Sequence, residues 1–398
     1  MSNYNKVQFM SWELHTGPFS AVIGGRKIGW YAGLLDPSPD KRTDALGQCR
    51  DIEARLAFVA DAIARAEVVS DQRATTLKVF MAPEFLLRGA GGAYLHDLIE
   101  GWGGQAPLEL RLPEKYAGPW PGLFGGLRAL AAQAHFEDWL FVFGTAISAS
   151  FPARSQQGSY VLDPARPGEI YNLALVQQGG VAHGADSYVA SKHYISGIDF
   201  LQWRGNIAQH SAGTVLPLDP ESVVPADALG LDQGGALFRI NGVNDGTGAP
   251  IDFGIEICLD HARSGGNRAN RYGRIRTAGQ SVRIQLVPSG GMRLDPESVR
   301  LQAVPGSVPA SYAFNCDGLG NLNGKYGSHT QLWCGGGAAT PRRLVEASAG
   351  APHDGTEVVV VASELKVGAE QVHADMLWNN GNGVAGAGKV RIVGALDL

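Results

Sequence analysis

Apolar positions recur along this chain with two different periods. In "DIEARLAFVADAIARA", Ile52, Leu56, Val59 and Ile63 stand at i, i+4, i+7 and i+11, the spacing that lays one apolar stripe along a helix. This predicts a helix packed on a sheet. Before it, "RKIGWYAGLLDP" reads as a strand. After it, "LKVFMAPEF" carries Leu77, Val79 and Phe80 in a second strand that must stop at or near Pro83, which has no N–H for a ladder. Glu84 is therefore placed at a strand end.

The alternation continues. A helix-like "GLFGGLRALAAQAHF" precedes the strand "WLFVFGTAIS", then the strand "YNLALVQQGG" with its turn signal, and then "SYVASKHYISGIDF", where Lys192 falls just past a short strand. Further short strands are predicted in "ALFRINGV", "IDFGIEICLDH", "VRIQLVPSGGM", "SYAFNCDG", "HTQLWC", "EVVVVASEL" and "KVRIVGALDL". Residues 91–121, rich in Gly, Pro and Trp, predict a long surface loop or insertion, and the polar stretch 203–235 a second insertion. Strands interleaved with helices argue for an α/β fold with helices covering a sheet.

Composition narrows the function. With 44% hydrophobic and 18% charged residues and 54 glycines, the 398-residue chain suits one elaborate globular domain with a well-buried core. A formal charge of −5 without a long basic run gives little attraction for phosphate backbones, so nucleic acid is not expected as a partner. The opening "MSNYNKVQFMSWELH" lacks a basic stretch followed by an apolar one, and no window reaches the roughly 18 apolar residues that span a bilayer. We expect a soluble, cytoplasmic protein without a membrane partner. The four cysteines, Cys49, Cys258, Cys316 and Cys334, form no C-x-x-C pair, so neither a disulfide framework nor a zinc site is indicated.

Glu84, Lys192 and Cys258 share a position type: each lies at or just after the C-terminal end of an apolar strand, the edge where α/β sheets gather catalytic groups. A free cysteine is usually a packing residue, and a glutamate after proline is usually a loop charge. The ordered triple is more specific than any one of them. "FMAPEFL", "YVASKHYIS" and "FGIEICLDH", in that order, resemble the signature regions of the nitrilase, or carbon–nitrogen hydrolase, superfamily, and "YNLALVQQGGVA" and "IQLVPSGG" fit its order of elements. The likeness runs from about Arg26 to Val345.

The resemblance implies a four-layer α-β-β-α sandwich with loop insertions, divided into an N-terminal extension (1–25), the hydrolase domain (26–345) and C-terminal strands with a Gly-rich tail (346–398). It implies a homodimer or larger homo-oligomer, and a Glu84–Lys192–Cys258 catalytic triad. Cys258 would attack a carbonyl or nitrile carbon, Glu84 would move the protons, and Lys192 with the Leu259 backbone N–H would stabilise the oxyanion. No cofactor or metal is then required. Asp199 is the candidate second carboxylate near the lysine. His193, Glu256, Asp260 and His261 are candidate pocket residues, and Arg88, Trp203, Arg263 and Met292 candidate rim residues. On a continuous strand Glu256 would share a face with Cys258; pairing with an arginine is the plainer expectation for it.

Asp260, two places after the cysteine, resembles the amide and carbamoyl hydrolases more than the nitrilases, so the expected reaction is cleavage of a linear, non-peptide amide-type C–N bond. Nitrile hydrolysis, acyl transfer from the same thioester and a non-catalytic scaffold are the alternatives. "GVAGAGKV", Gly383 to Val390, matches a phosphate-loop pattern but lacks its Ser/Thr and is followed by a strand, so it reads as a turn. The ten histidines show no metal-ligand spacing.

Overall fold

The protein is described here from a computed structural model covering residues 2–23, 25–34, 44–150, 153–157, 159–162, 168–194, 198–199, 215–216, 235–262, 272–303, 311–319, 330–335, 342–343, 356–378 and 386–398. The elements of the first half that matter for the site are β1 (Lys6–Glu13), α1 (Ala45–Val69), β2 (Thr76–Met81), α2 (Gly122–Ala131), β3 (Trp139–Val142), β4 (Ala146–Ser150), β5 (Gly168–Gln178) and β6 (Ser187–Ser191). The second half adds β7 (Leu237–Phe238), β8 (Phe253–Ile255), β9 (Ile284–Ser289), β10 (Ser311–Asp317), β11 (Thr330–Gly335), β12 (Thr356–Val360) and β13 (Lys389–Val393).

An eleven-stranded sheet runs β12-β13-β1-β2-β3-β5-β4 to the short strand Tyr94–Leu95, with β6 also paired to β5. A six-stranded sheet runs β7-β8-β9-β10-β11 and ends on Arg342–Arg343. The fold is mixed α/β. In both sheets the central neighbours are parallel: β1 with β2, β2 with β3, β8 with β9 and β9 with β10. Their C-terminal ends therefore open on one edge of each sheet, where loops carry the chemistry.

β1 explains how the layers stack. Its successive side chains point to opposite faces: Val7 and Phe9 join Val79, Leu140 and Val176 in a core shared with Phe253, Leu286 and Phe314 of the other sheet. Met10 and Trp12, on the opposite face, pack with Phe58, Val59 and Ile63 of α1 and Leu123 and Leu127 of α2. The order is helices, large sheet, small sheet. α1 starts where Asp44 accepts the Gly47 N–H at 2.9 Å, an ordinary N-cap. Among the described residues no helix is long and apolar enough to cross a membrane.

Three segments differ from the sequence reading. The stretch expected as an N-terminal extension holds β1, which pairs with β2 on one side and with β13, near the C-terminus, on the other. Both its faces are covered, so it lacks the alternation that marks a half-exposed strand. "WLFVFGTAIS" is two strands, β3 and β4, broken at Gly144, whose φ is +66° and where a Cβ would lie 2.2 Å from the Pro83 carbonyl oxygen. Residues 91–121 are less of a surface loop than expected: Tyr94, Leu98, Ile99 and Tyr116 are buried in the helix-side core.

β1 and β13 are joined by a buried ion pair between Glu13 and Arg391, Nε to Oε1 at 2.6 Å, and Thr330 of β11 donates to the same oxygen at 2.7 Å. Removing one partner leaves a buried charge uncompensated, which typically costs about 3–5 kcal/mol. Glu13→Gln is expected to lower the urea unfolding free energy by about that amount, and a loss below about 1 kcal/mol would contradict this pairing of β1 and β13.

Candidate active site

Pro83 ends β2, and the backbone then turns sharply. Phe85 sits at φ +64°, with its N–H on Thr145 Oγ1 at 2.9 Å, while the Glu84 N–H reaches the Ser289 carbonyl at 3.3 Å. The break between β3 and β4 thus gives Thr145 its job. The end of the small sheet, at Ser289, is tied to the end of β2, and Glu84 is delivered toward β5 and β6.

On β6, Tyr188 and Ala190 face the inter-sheet core, and Lys192 continues that parity. Its N–H is held by the Asn172 carbonyl at 2.9 Å. Its ammonium donates to Glu84 Oε1 at 2.8 Å and to Asp199 Oδ1 and Oδ2 at 2.7 and 2.9 Å. Asn172 Nδ2 bridges the same carboxyl groups, at 2.9 Å to Glu84 and 3.0 Å to Asp199. All four side chains are buried. Asp199 was an approximate match by sequence, and the structure brings it to the lysine. Asn172 was missed; its signal was a polar residue on the β5 face that otherwise carries Ala174 and Val176.

Cys258 approaches from the other sheet. β8 stops at Ile255, and Cys258 adopts φ +51°, a strained conformation for a non-glycine residue and one that clusters at functional sites. The turn is closed by the Asp260 N–H on the Ile257 carbonyl and the His261 N–H on the Cys258 carbonyl, at 3.1 and 2.9 Å; the Leu259 N–H is not committed to it. The thiol lies near enough to the Glu84 carboxyl and the Gly290 N–H for both to act on its titration. Glu84 Oε2 has no fully formed hydrogen bond. Gly290 is required by closeness: a Cβ there would lie 2.9 Å from the Phe85 ring and 3.1 Å from Glu84 Oε2.

Burial governs the titration of this cluster. It pushes Glu84 up to about 7, against the pull of the Lys192 ammonium. It pushes the Cys258 thiol well above its ordinary value, with the Glu84 charge adding to the effect and Lys192 opposing it. Burial would lower Lys192, but the Glu84 and Asp199 carboxylates outweigh it and its pKa is raised. The resting site is a thiol beside a carboxyl that changes charge near neutrality.

The left-handed turn also corrects the expected geometry of Glu256. It breaks the alternation that would put Glu256 and Cys258 on one face. Glu256 instead accepts from His261 Nδ1 at 2.7 Å, Gln285 Nε2 at 2.7 Å and the Ile275 N–H at 2.8 Å. Its partner is a histidine rather than an arginine. His261 Nε2 accepts the Asp295 N–H at 2.9 Å, which fixes Nδ1 as the donor to Glu256.

Asp260 ties the two halves of the site together. It accepts the backbone N–H groups of His193 at 3.1 Å and of Tyr194 at 2.8 Å, and Arg274 at 3.3 Å. Arg274 reaches His193 Nε2 at 3.0 Å. Sequence reasoning placed Asp260 and His193 near the pocket, but not this clamp on the loop that begins at Lys192. Met292 packs against the inter-sheet core, and Trp203 and Arg263 lie outside the described residues. Among the described residues no cluster of His, Cys, Asp and Glu is arranged to hold a metal ion.

Compared with models of known protein families and with curated proteins, the chain finds no match. The chemistry is read from the residues themselves.

Since Glu84 titrates near 7, infrared difference spectra of wild type against Glu84→Gln are expected to show a protonated carboxyl below that pH and a carboxylate above it. Full ionisation of Glu84 already at pH 5 would contradict the desolvated site.

Proposed function

We propose that the chain is a thiol hydrolase of the nitrilase, or carbon–nitrogen hydrolase, type that cleaves a non-peptide amide C–N bond. The observation that carries this reading is a buried thiol facing a buried carboxyl raised to about 7, beside an ammonium held by a second carboxylate. Burying several ions is expensive, several kcal/mol each, and an apolar packing would usually be as stable or more so. Perturbed groups concentrated at strand ends point to chemistry.

In this reading Cys258 Sγ bonds to the substrate carbonyl carbon as its proton passes to Glu84, so no free thiolate is stored beforehand. Negative charge appears on the substrate oxygen. The Leu259 N–H supplies a directed hydrogen bond to it, and Lys192, whose donors engage Glu84 and Asp199, supplies mainly charge. Glu84 returns its proton to the leaving nitrogen as the C–N bond breaks, giving a thioester and ammonia or an amine. It then takes a proton from water as the oxygen attacks, and the acid leaves with the thiol restored. Asp199 and Asn172 hold the lysine, and Asp260 positions its loop.

The packed sheets with helices outside the larger one support reading the fold as that family's α-β-β-α sandwich, with pairing of subunits as the expected assembly. Asp260 beside the thiol turn favours the amide branch over nitriles. A small-molecule amide is the proposed partner, in the cytoplasm, with no cofactor.

The test is ammonia release from a panel of primary amides, carbamoyl compounds and nitriles. Amides are expected to respond, with Cys258→Ala reducing kcat by about four orders of magnitude or more. Because Glu84 must be a carboxylate to accept the proton, kcat/KM is expected to rise with pH through about 7. Release undiminished in Cys258→Ala would overturn the proposal.

A further inference from the structure

Arg88, four residues after Glu84, is buried at 2% exposure and has no ion-pair partner among the described residues. Its guanidinium carbon lies 3.0 Å from the centroid of the Tyr31 ring and 4.1 Å from that of Phe85, rings whose own centroids are 6.4 Å apart. The cation is sandwiched between two aromatic faces. Nη2 donates to the Thr16 carbonyl at 2.7 Å, and the Tyr31 side chain also acts on the guanidinium as a hydrogen-bonding group, whereas Nη1 is buried with no fully formed hydrogen bond.

Stacking alone explains why a cation is tolerated here. It does not explain the Nη1 edge, since an unsatisfied buried donor costs about 1–3 kcal/mol. Burial pulls the Arg88 pKa down to about 10, against the opposing effects of Tyr31 and the Glu84 carboxylate. The surroundings belong to the site already described. Lys192 Nζ stands 5.5 Å from the same Phe85 ring, and that ring also abuts Gly290 beside Glu84 Oε2. The Tyr31 hydroxyl donates to the carbonyl of Ile198, next to Asp199.

We propose that Arg88 is an anion subsite beside the thiol, and that the substrate is an amide bearing a carboxylate, which accepts from the Nη1 edge of the clamped guanidinium. The reaction it serves rests on the amide-hydrolase reading; the subsite does not. The two rings fix the guanidinium plane, so the fork is pre-organised for an in-plane acceptor. A neutral amide of equal length leaves that donor unsatisfied, which is how a buried polar group discriminates between otherwise similar ligands.

Two arms test it. In the first, calorimetry on the Cys258→Ala protein with malonate, succinate, glutarate and adipate is expected to show binding of at least one dicarboxylate, weakened about a hundredfold by a further Arg88→Gln change, the loss typical of unpairing a buried charge. In the second, wild type is expected to prefer succinamate or glutaramate over butyramide or valeramide by a similar factor in kcat/KM, and Arg88→Gln to bring that ratio close to one. Arg88→Lys, which keeps the charge and loses the fork, serves if Arg88→Gln does not fold, and should lie between. Arg88-dependent binding without amide turnover would uphold the subsite and sink the hydrolase reading. Amide hydrolysis with no preference for acidic substrates would do the reverse. Absence of dicarboxylate binding to the Cys258→Ala protein overturns the proposal whatever the hydrolysis assay reads.

Discussion

The Lys192 ammonium, held away from water between Glu84 and Asp199, is the interaction on which the rest of the site depends. Taking such an ion out of water is repaid only when its donors are all engaged and its charge is balanced. Two strand ends and the middle of a third strand meet that requirement together: β2 delivers Glu84, β6 delivers Lys192, and Asn172 of β5 bridges both carboxyl groups. When Glu84 is protonated, Asp199 alone balances the cation, and the same ammonium is what keeps Glu84 from rising still higher.

The second sheet must then be placed against the first within hydrogen-bonding tolerance. Its β9 end does so through backbone: the Ser289 carbonyl receives the Glu84 N–H at 3.3 Å. Asp260 does so through a side chain, reaching across to the His193 and Tyr194 N–H groups just beyond Lys192. The left-handed Cys258 turn is what permits this. It sends the thiol inward, leaves Glu256 in a separate network with His261 and Gln285, and brings Asp260 back to the lysine loop.

Much of this was legible in the sequence because it depends on local pattern. Pro83 marks where β2 must stop, the parity of Tyr188 and Ala190 points Lys192 inward, and the period of Ile52, Val59 and Ile63 marks α1. Other features depend on pairing between distant segments and leave no local trace. β1 is covered on both faces and reads as an undifferentiated run; its role appears only with β13, more than three hundred residues away, and their Glu13–Arg391 pair. The break at Gly144 is set by the approach of Pro83. Positive φ at Cys258 turns the thiol to the side opposite Glu256, and no spacing rule anticipates that. Asn172 and Arg88 look like ordinary polar residues until their partners, or the absence of one for Nη1, are seen.

The central claim is that the Cys258 thiol forms a bond to substrate while Glu84 takes its proton. Rapid-quench intact-mass measurement during turnover of an amide substrate addresses it directly, with peptide mapping to locate the adduct. A transient mass increase equal to the acyl group, without the amine, is expected on Cys258 and is expected to be absent in Cys258→Ala. Amine release with no acyl adduct at any quench time, or an adduct on another residue, would contradict it.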